Sequence, residues 1–194
     1  MKELPRRLFH IFGGLLLPAT GLLLPQDVFL PALISVTVAF LLFEVIRLRS
    51  VSVNRWFTHH FQPLLREKEA SRPTGSAYLL IAAVITFLLF DKPIAVMALS
   101  FVVVGDPIAG MIGETWGKRR IRGKSLEGSA ACFLACLVIG AILASITGTP
   151  LALVIIGAAC ATLVEFSSLP INDNLTIPLI SGGAMTGVNL LYLC

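Results

Sequence analysis

Long apolar runs alternate with short polar intervals along the whole of this 194-residue chain, and the runs fall at 8–24, 28–48, 75–90, 93–113, 126–147, 150–166 and 174–193. A bilayer core roughly 30 Å thick takes about 20 residues of helix, and somewhat shorter spans are tolerated at a cost. The pattern predicts an all-α fold, a polytopic membrane helical bundle of about seven transmembrane helices that makes one integral membrane domain over 1–194. The first run carries His10 and Pro18 and lacks a clear small-x-small cleavage site before the next, so it reads as a helix of the mature chain. The longest polar interval, 49–74, sets Trp56, Phe57, Phe61, Leu64 and Leu65 among Arg55, His59, His60, Arg66 and Lys68. That spacing predicts an amphipathic helix lying in the membrane interface. His59 and His60 point to different helix faces and do not suggest a metal pair.

Composition fixes the solvent and charge fixes the orientation. With 56% apolar and 13% charged residues, the chain is too apolar for a soluble domain of this length. Of 15 lysines and arginines, Lys92 alone lies outside the amino-terminal tail, the 47–74 loop and the 114–125 loop. The excess of basic residues places those segments in the cytoplasm. The carboxyl terminus then falls on the opposite side. The same rule accounts for the net charge of +4, so nucleic acid is not an expected partner. Cys132, Cys136, Cys160 and Cys194 all sit in apolar runs without close metal-type spacing and read as packing residues.

Candidate chemistry concentrates in residues 105–129, GDPIAGMIGETWGKRRIRGKSLEGS. Gly105-Asp106-Pro107 interrupts an apolar run before it reaches the cytoplasm. Pro107 suits the first turn of a new helix and Asp106 its cap, so the run at 93–113 is expected to break there and restart as a short helix. Irregular backbone at membrane depth is tolerated where it lines a wet cavity, and intramembrane acids are costly and usually functional. Asp106 is thus a candidate magnesium ligand, with a simple helix cap as the plain alternative. Ala109, Gly113 and Gly117 recur every four residues, a bare face that serves either close helix packing or the approach of a phosphate to the backbone.

Lys118, Arg119, Arg120, Arg122 and Lys124 follow, for which contact with anionic lipid is the simple account. Lys118 and Lys124 each follow a glycine, and Lys124 precedes Ser125, a candidate cap for the next helix. A phosphate there would meet free amides, a favourable dipole and a lysine. Glu127 is either a partner of that dipole or a second acid for metal binding or proton transfer. Gly123-Lys124-Ser125 is not a P-loop, because Gly117 stands one residue too far away and no strand precedes it. Other polar residues reach the same level from other runs: Arg7 and His10, Glu44 and Arg47, Glu69, Thr74, Gly75 and Tyr78, then Glu165, Asp173 and Asn174.

In this order the residues resemble the CTP-dependent lipid kinases, the family that includes dolichol kinase, phytol kinase and CTP-dependent diacylglycerol kinase. The pattern is R-x-x-H at Arg7 and His10, E-x-x-R at Glu44 and Arg47, E-x-x-x-x-x-G-x-x-Y at Glu69, Gly75 and Tyr78, and G-D-x-x-A-x-x-x-G-x-x-x-G-K at Gly105 to Lys118. It continues as K-S-x-E-G-S at Lys124 to Ser129 and D-N at Asp173 and Asn174. The resemblance implies transfer of the terminal phosphate of CTP to the hydroxyl of a membrane lipid on the cytoplasmic side. A prenyl alcohol such as phytol, geranylgeraniol or a polyprenol of the dolichol type is the implied acceptor, and Mg2+ or another divalent cation is the implied cofactor. It implies Asp106, Glu127 and Asp173 as metal ligands and, with His10, as candidates for the catalytic base. It implies Gly105, Gly113, Gly117, Lys118, Lys124, Ser125, Gly128, Arg7 and Asn174 around the nucleotide. Two other readings stand beside it, a CDP-lipid synthase releasing pyrophosphate from the same nucleotide and a small membrane transporter. The D-R-x-D signature of phosphatidate cytidylyltransferases is absent near the end of the chain.

Overall fold

The computed structural model describes residues 3–121, 123–167 and 169–193; Arg122 and Cys194 lie outside the described residues. The chain is all-helical, 86% helix, with eight α-helices among the described residues: α1 (Leu4–Leu23), α2 (Gln26–Arg49), α3 (Val51–Phe61), α4 (Gly75–Leu89), α5 (Lys92–Trp116), α6 (Leu126–Thr147), α7 (Leu151–Ser167) and α8 (Asp173–Leu193). The seven apolar runs become α1, α2 and α4 to α8, and the amphipathic interval becomes α3 followed by two short 3-10 turns. By length and composition α2, α5 and α6 are long and apolar enough to cross a membrane, while α4 and α7 are shorter apolar helices.

Helix ends follow local chemistry. Ser50 Oγ accepts from Val53 N–H at 3.4 Å and starts α3, and Thr74 Oγ1 does the same for Ala77 N–H at the start of α4. Ser125 Oγ accepts from Gly128 N–H at 3.0 Å, so the expected cap of α6 is present. Gly148, at φ +74°, ends that helix in the left-handed region that glycine adopts without a Cβ penalty.

The core is organised on α5, which packs against α1, α4, α6, α7 and α8. From Ile94 to Val103 every one of its residues is buried. A helix apolar on all sides belongs in the middle of its neighbours. The break expected at Gly105-Asp106-Pro107 is not there: α5 runs without interruption through Pro107. An interior proline forfeits one hydrogen bond and costs about 3 kcal/mol, and contacts with five surrounding helices offset that. Asp106 therefore sits within a continuous helix and does not cap a new one.

The bare face of α5 serves packing. A Cβ on Gly105 would lie 2.8 Å from Cys136 Sγ and 2.9 Å from Cys132 Sγ, and one on Gly113 would lie 2.7 Å from Ser125 Oγ. These close approaches let the first turns of α6 lie directly on α5, as small residues do between closely apposed helices.

A second fixed point holds α3 and the 62–74 segment to the bundle. Arg47 is fully buried and its guanidinium spends all five of its donors. It donates to Glu44 through Nε at 3.2 Å and Nη2 at 2.7 Å, to Asn54 Oδ1 at 2.9 Å, and to the carbonyls of Glu69 and Arg72 at 3.0 Å each. The ring of Phe57 lies 4.9 Å from its Cζ. Glu44 in turn accepts from Thr74 N–H at 3.1 Å. The E-x-x-R motif is thus a clasp between α2 and the following loop, well beyond a simple i, i+3 ion pair.

Candidate functional site: a cavity with an aromatic and a charged wall

A cavity of about 700 Å³ opens among the helices, and each of the eight contributes to its lining. One wall is aromatic. Phe40 and Phe43 of α2 continue into Phe57, Phe61 and Trp56 of α3, ring against ring, at centroid distances of 6.4, 5.5, 4.9 and 6.4 Å along that path. The other wall is charged. Arg6, Arg7 and His10 of α1, Arg66 of the loop, Asp106 of α5, Lys124, Glu165 of α7 and Asp173 of α8 all face the same space.

Lys124 reaches the cavity from a small hairpin. Arg120–Ile121 pairs antiparallel with Lys124–Ser125, Ile121 opposite Lys124, and Gly123 takes a φ of +86° in the turn. The Lys124 ammonium donates to Glu165 Oε1 at 2.6 Å and stands 3.6 Å from Asp173 Oδ2. Ser129 Oγ donates to the other Glu165 oxygen at 3.1 Å. Burial works against the lysine charge, but the Glu165 hydrogen bond and the fields of Glu165, Asp106 and Asp173 outweigh it and hold its pKa above the usual value. For Asp173, which precedes the last apolar run, burial is the largest influence, and with Asp106 it pushes the carboxyl up to about 6 despite Lys124. The attraction across 3.6 Å is real, and desolvation exceeds it on the carboxylate side.

The lining holds as many carboxylates as lysines and arginines, and their pairing leaves Arg66 aside. Arg7 pairs with Glu114, and its guanidinium lies on the flat face of Gly110, where a Cβ would come within 3.0 Å of its Cζ. Arg6 pairs with Glu3 at the surface. Burial, and then repulsion from Arg66, lowers the Arg6 pKa from its ordinary value. Among the described residues no carboxylate comes within ion-pair distance of Arg66. Like charges held together on a half-buried wall are an arrangement that an incoming anion relieves.

With the geometry in view, the chain can be set against known proteins. It is 30% identical over 184 residues to the uncharacterized protein RP860 of Rickettsia prowazekii, covering 91% of this chain and 90% of that one. The chain belongs to the family of that Rickettsia protein. It is also similar to the uncharacterized protein MJ1137 of Methanocaldococcus jannaschii, 29% identical over 189 residues, with 93% and 91% of the two chains covered. No family model and no solved structure matches. The relationship covers nearly the whole length of both chains.

The residues expected at the site do not all come together in the fold. Arg7, His10, Asp106, Gly113, Lys124, Ser125, Gly128, Asp173 and Asn174 line the cavity. His10 Nε2 is buried with no hydrogen-bond partner among the described residues. Asn174 is half spent on structure, donating to Gly75 O at 2.8 Å.

A second group is displaced. Lys118, Gly117 and Glu127 border a separate shallow depression with Thr115 and Trp116, and Glu127 accepts from Arg119 N–H at 3.4 Å. Placing Glu127 beside Asp106 and Asp173 as a metal ligand is therefore corrected. The start of α6 aims its side chain away from the cavity, and among the described residues no three metal-ligating side chains converge. Gly105 is likewise corrected, since the two cysteines of α6 occupy the space beside it.

The amides at the start of α6 are also partly spent. Gly128 N–H is taken by Ser125 and Leu126 N–H by Arg119 O, so Ser125 and Gly128 offer a phosphate less than an open helix start would. Tyr78 does not line the cavity. Sequence reasoning gave no role to Arg6 or Arg66, and the surplus of basic residues in both segments had a simpler explanation in membrane orientation. Glu165 was visible as one acid among several, and only the fold ties it to Lys124.

Asp106 and Asp173 are the two cavity carboxylates that could contribute to holding a divalent cation. Mg2+ is usually held by one or two carboxylates together with substrate phosphates. Asp106 and Asp173 repel each other across a half-buried space, and a cation would relieve this.

Proposed function

We propose that this chain is a CTP-dependent kinase that phosphorylates the hydroxyl of a membrane lipid, most simply a prenyl alcohol of the phytol, geranylgeraniol or polyprenol type. The observation that carries the reading is the pairing, in one cavity, of an aromatic wall with a charged wall that sets Arg6, Arg66 and Lys124 beside Asp106 and Asp173. An apolar chain and a polyphosphate are the two ligands such walls would take together. The proposal includes a bundle of about seven spans, with the amino terminus and the cavity on the cytoplasmic side and the carboxyl terminus opposite.

In this reading Arg6, Arg66 and Lys124 bind the nucleotide phosphates, and Asp106 and Asp173 would hold Mg2+. When bound, the ion would neutralise charge on the phosphates. Glu165 positions the Lys124 ammonium, and Arg7 is held against α5 by Glu114. The lipid hydroxyl attacks the terminal phosphorus, the bond to the bridging oxygen breaks, and CDP leaves. His10, with its free Nε2 in the field of Asp106, is the group we assign to receive the hydroxyl proton. The remainder is positioning and charge neutralisation, which supply most of the catalysis in phosphoryl transfer.

The deciding experiment offers labelled CTP and ATP separately to the purified chain in vesicles, with a panel of prenyl alcohols and diacylglycerol. CDP and a lipid monophosphate are expected from CTP. Pyrophosphate and a CDP-lipid would establish the synthase reading instead, and transfer from ATP alone would overturn the nucleotide assignment.

A further inference from the structure

We propose that the aromatic wall is a subsite for a single hydrocarbon chain of the acceptor lipid, and that residues 51–74 are a strap fixed over it by the buried Arg47. This rests on reading the substrate as a lipid, and it goes further by naming where the chain lies and what holds that place open.

Three observations carry it. First, Phe40, Phe43, Phe57, Phe61 and Trp56 form one unbroken ring-to-ring path between α2 and α3, and all five face the cavity. Aromatic side chains normally bury their faces against protein, so a connected series turned toward a space is a surface awaiting an apolar occupant. Second, the space is continuous with the charged wall, so an occupant would have an apolar body and a polar end, with its hydroxyl directed at His10 and Asp106. The volume of about 700 Å³ falls within the range of sites for one small ligand, roughly 300–1,000 Å³. A space of that size favours one slender chain over a pair of acyl chains.

Third, Arg47 lies outside the cavity yet grips Asn54, Glu69 and Arg72 on the strap and stacks on Phe57, the middle ring of the path. Glu69 passes this on, accepting from Arg66 N–H and Gly75 N–H at 2.9 Å each. One buried guanidinium thus sets both the aromatic wall and the backbone that carries Arg66. Arg47 is a positioning residue for the lipid.

Trp56 reports on the subsite directly. The chain has two tryptophans, and Trp116 lies outside the cavity, so Trp116→Phe leaves a single indole at the wall. The full-length variant in phosphatidylcholine vesicles is titrated with a long-chain alcohol brominated along its chain. Trp56 fluorescence should fall saturably and recover with excess unbrominated alcohol. Brominated phosphatidylcholine at equal bromine content should give a weaker, unsaturating loss. Phe61→Ser, at a partly exposed position, should raise the half-saturating alcohol concentration by about tenfold, and Arg47→Lys should raise it with the maximal quench and the helical circular dichroism retained.

Equal, uncompeted quenching by both probes would overturn the subsite, as would a Phe61→Ser titration identical to the parent. The readout needs no CTP. Saturable quenching in a chain that transfers no phosphate supports the subsite while removing the kinase reading, and phosphate transfer without saturable quenching does the reverse.

Discussion

Lys124 and Glu165 meet at 2.6 Å from a hairpin and a helix end 41 residues apart, with Ser129 holding the second carboxylate oxygen. Lys124→Ala would strand a carboxylate whose side chain is only 3% exposed. Breaking a fully buried pair costs about 3–5 kcal/mol, and the partial exposure of the lysine lowers the expectation to about 2 kcal/mol. Thermal unfolding in detergent should show this loss, with Glu165→Gln losing less because its amide can still accept from Lys124. A double-mutant cycle on the pair should give a coupling well above the error of the single changes.

Asp106 and Glu127 should separate in their effects. Asp106→Asn is expected to lower CTP-dependent phosphorylation of a prenyl alcohol by about a hundredfold or more, as loss of a group acting on developing phosphate charge does. Glu127→Gln and Lys118→Ala, in the outer depression, should stay within about twofold of the parent. Initial rates with labelled CTP check all three, and a large loss at Glu127 would return it to the site.

Arg47→Lys tests the clasp. Lysine keeps the charge but offers three donors from a single point, so the bidentate hold on Glu44 and the reach to both carbonyls are lost together. A stability loss of about 3 kcal/mol is expected. Limited proteolysis should show cleavage within 51–74 before any cut between α6 and α7.

The raised pKa of Asp173 predicts a pH dependence of stability. The folded chain holds this proton more tightly than the unfolded chain, from an ordinary 3.8 to about 6. The contribution is therefore fully present below about pH 4 and is lost as pH rises through 6. The tighter hold on the proton is worth about 3 kcal/mol. Asp173→Asn, which leaves Lys124 its Glu165 partner, should remove that slope. Melting temperatures of variant and parent should agree near pH 4, part between about pH 4 and 6, and keep a constant gap above that, the variant melting higher.

Much of this architecture was legible in the sequence because burial in apolar runs and caps are local signals. The run at 126–147 is α6 to the residue, and the Ser125 cap is where its hydroxyl, with Glu127 in the first turn, placed it. Pro107 misled because its cost is local while the compensation comes from five helices remote in sequence. Glu127 misled for a related reason: sequence places it three residues from Lys124, but the turn into α6 sends the two side chains to different faces. The link between Lys124 and Glu165 and the clasp at Arg47 depend on which helices become neighbours. No spacing along one chain encodes that directly.

The central position of α5 has a consequence for how the family can change. Of its apolar stretch 72% is buried, against 22% in α2 and in α6. Hydrophobicity alone can satisfy most positions on α2 and α6, so leucine, isoleucine and valine should exchange there freely. On α5 each apolar residue must also fit the shape of its neighbours, as in the interior of a soluble protein. Sequence drift among relatives should therefore be slow on one membrane-length helix and fast on the other two, with the acid at position 106 carried on the slow one.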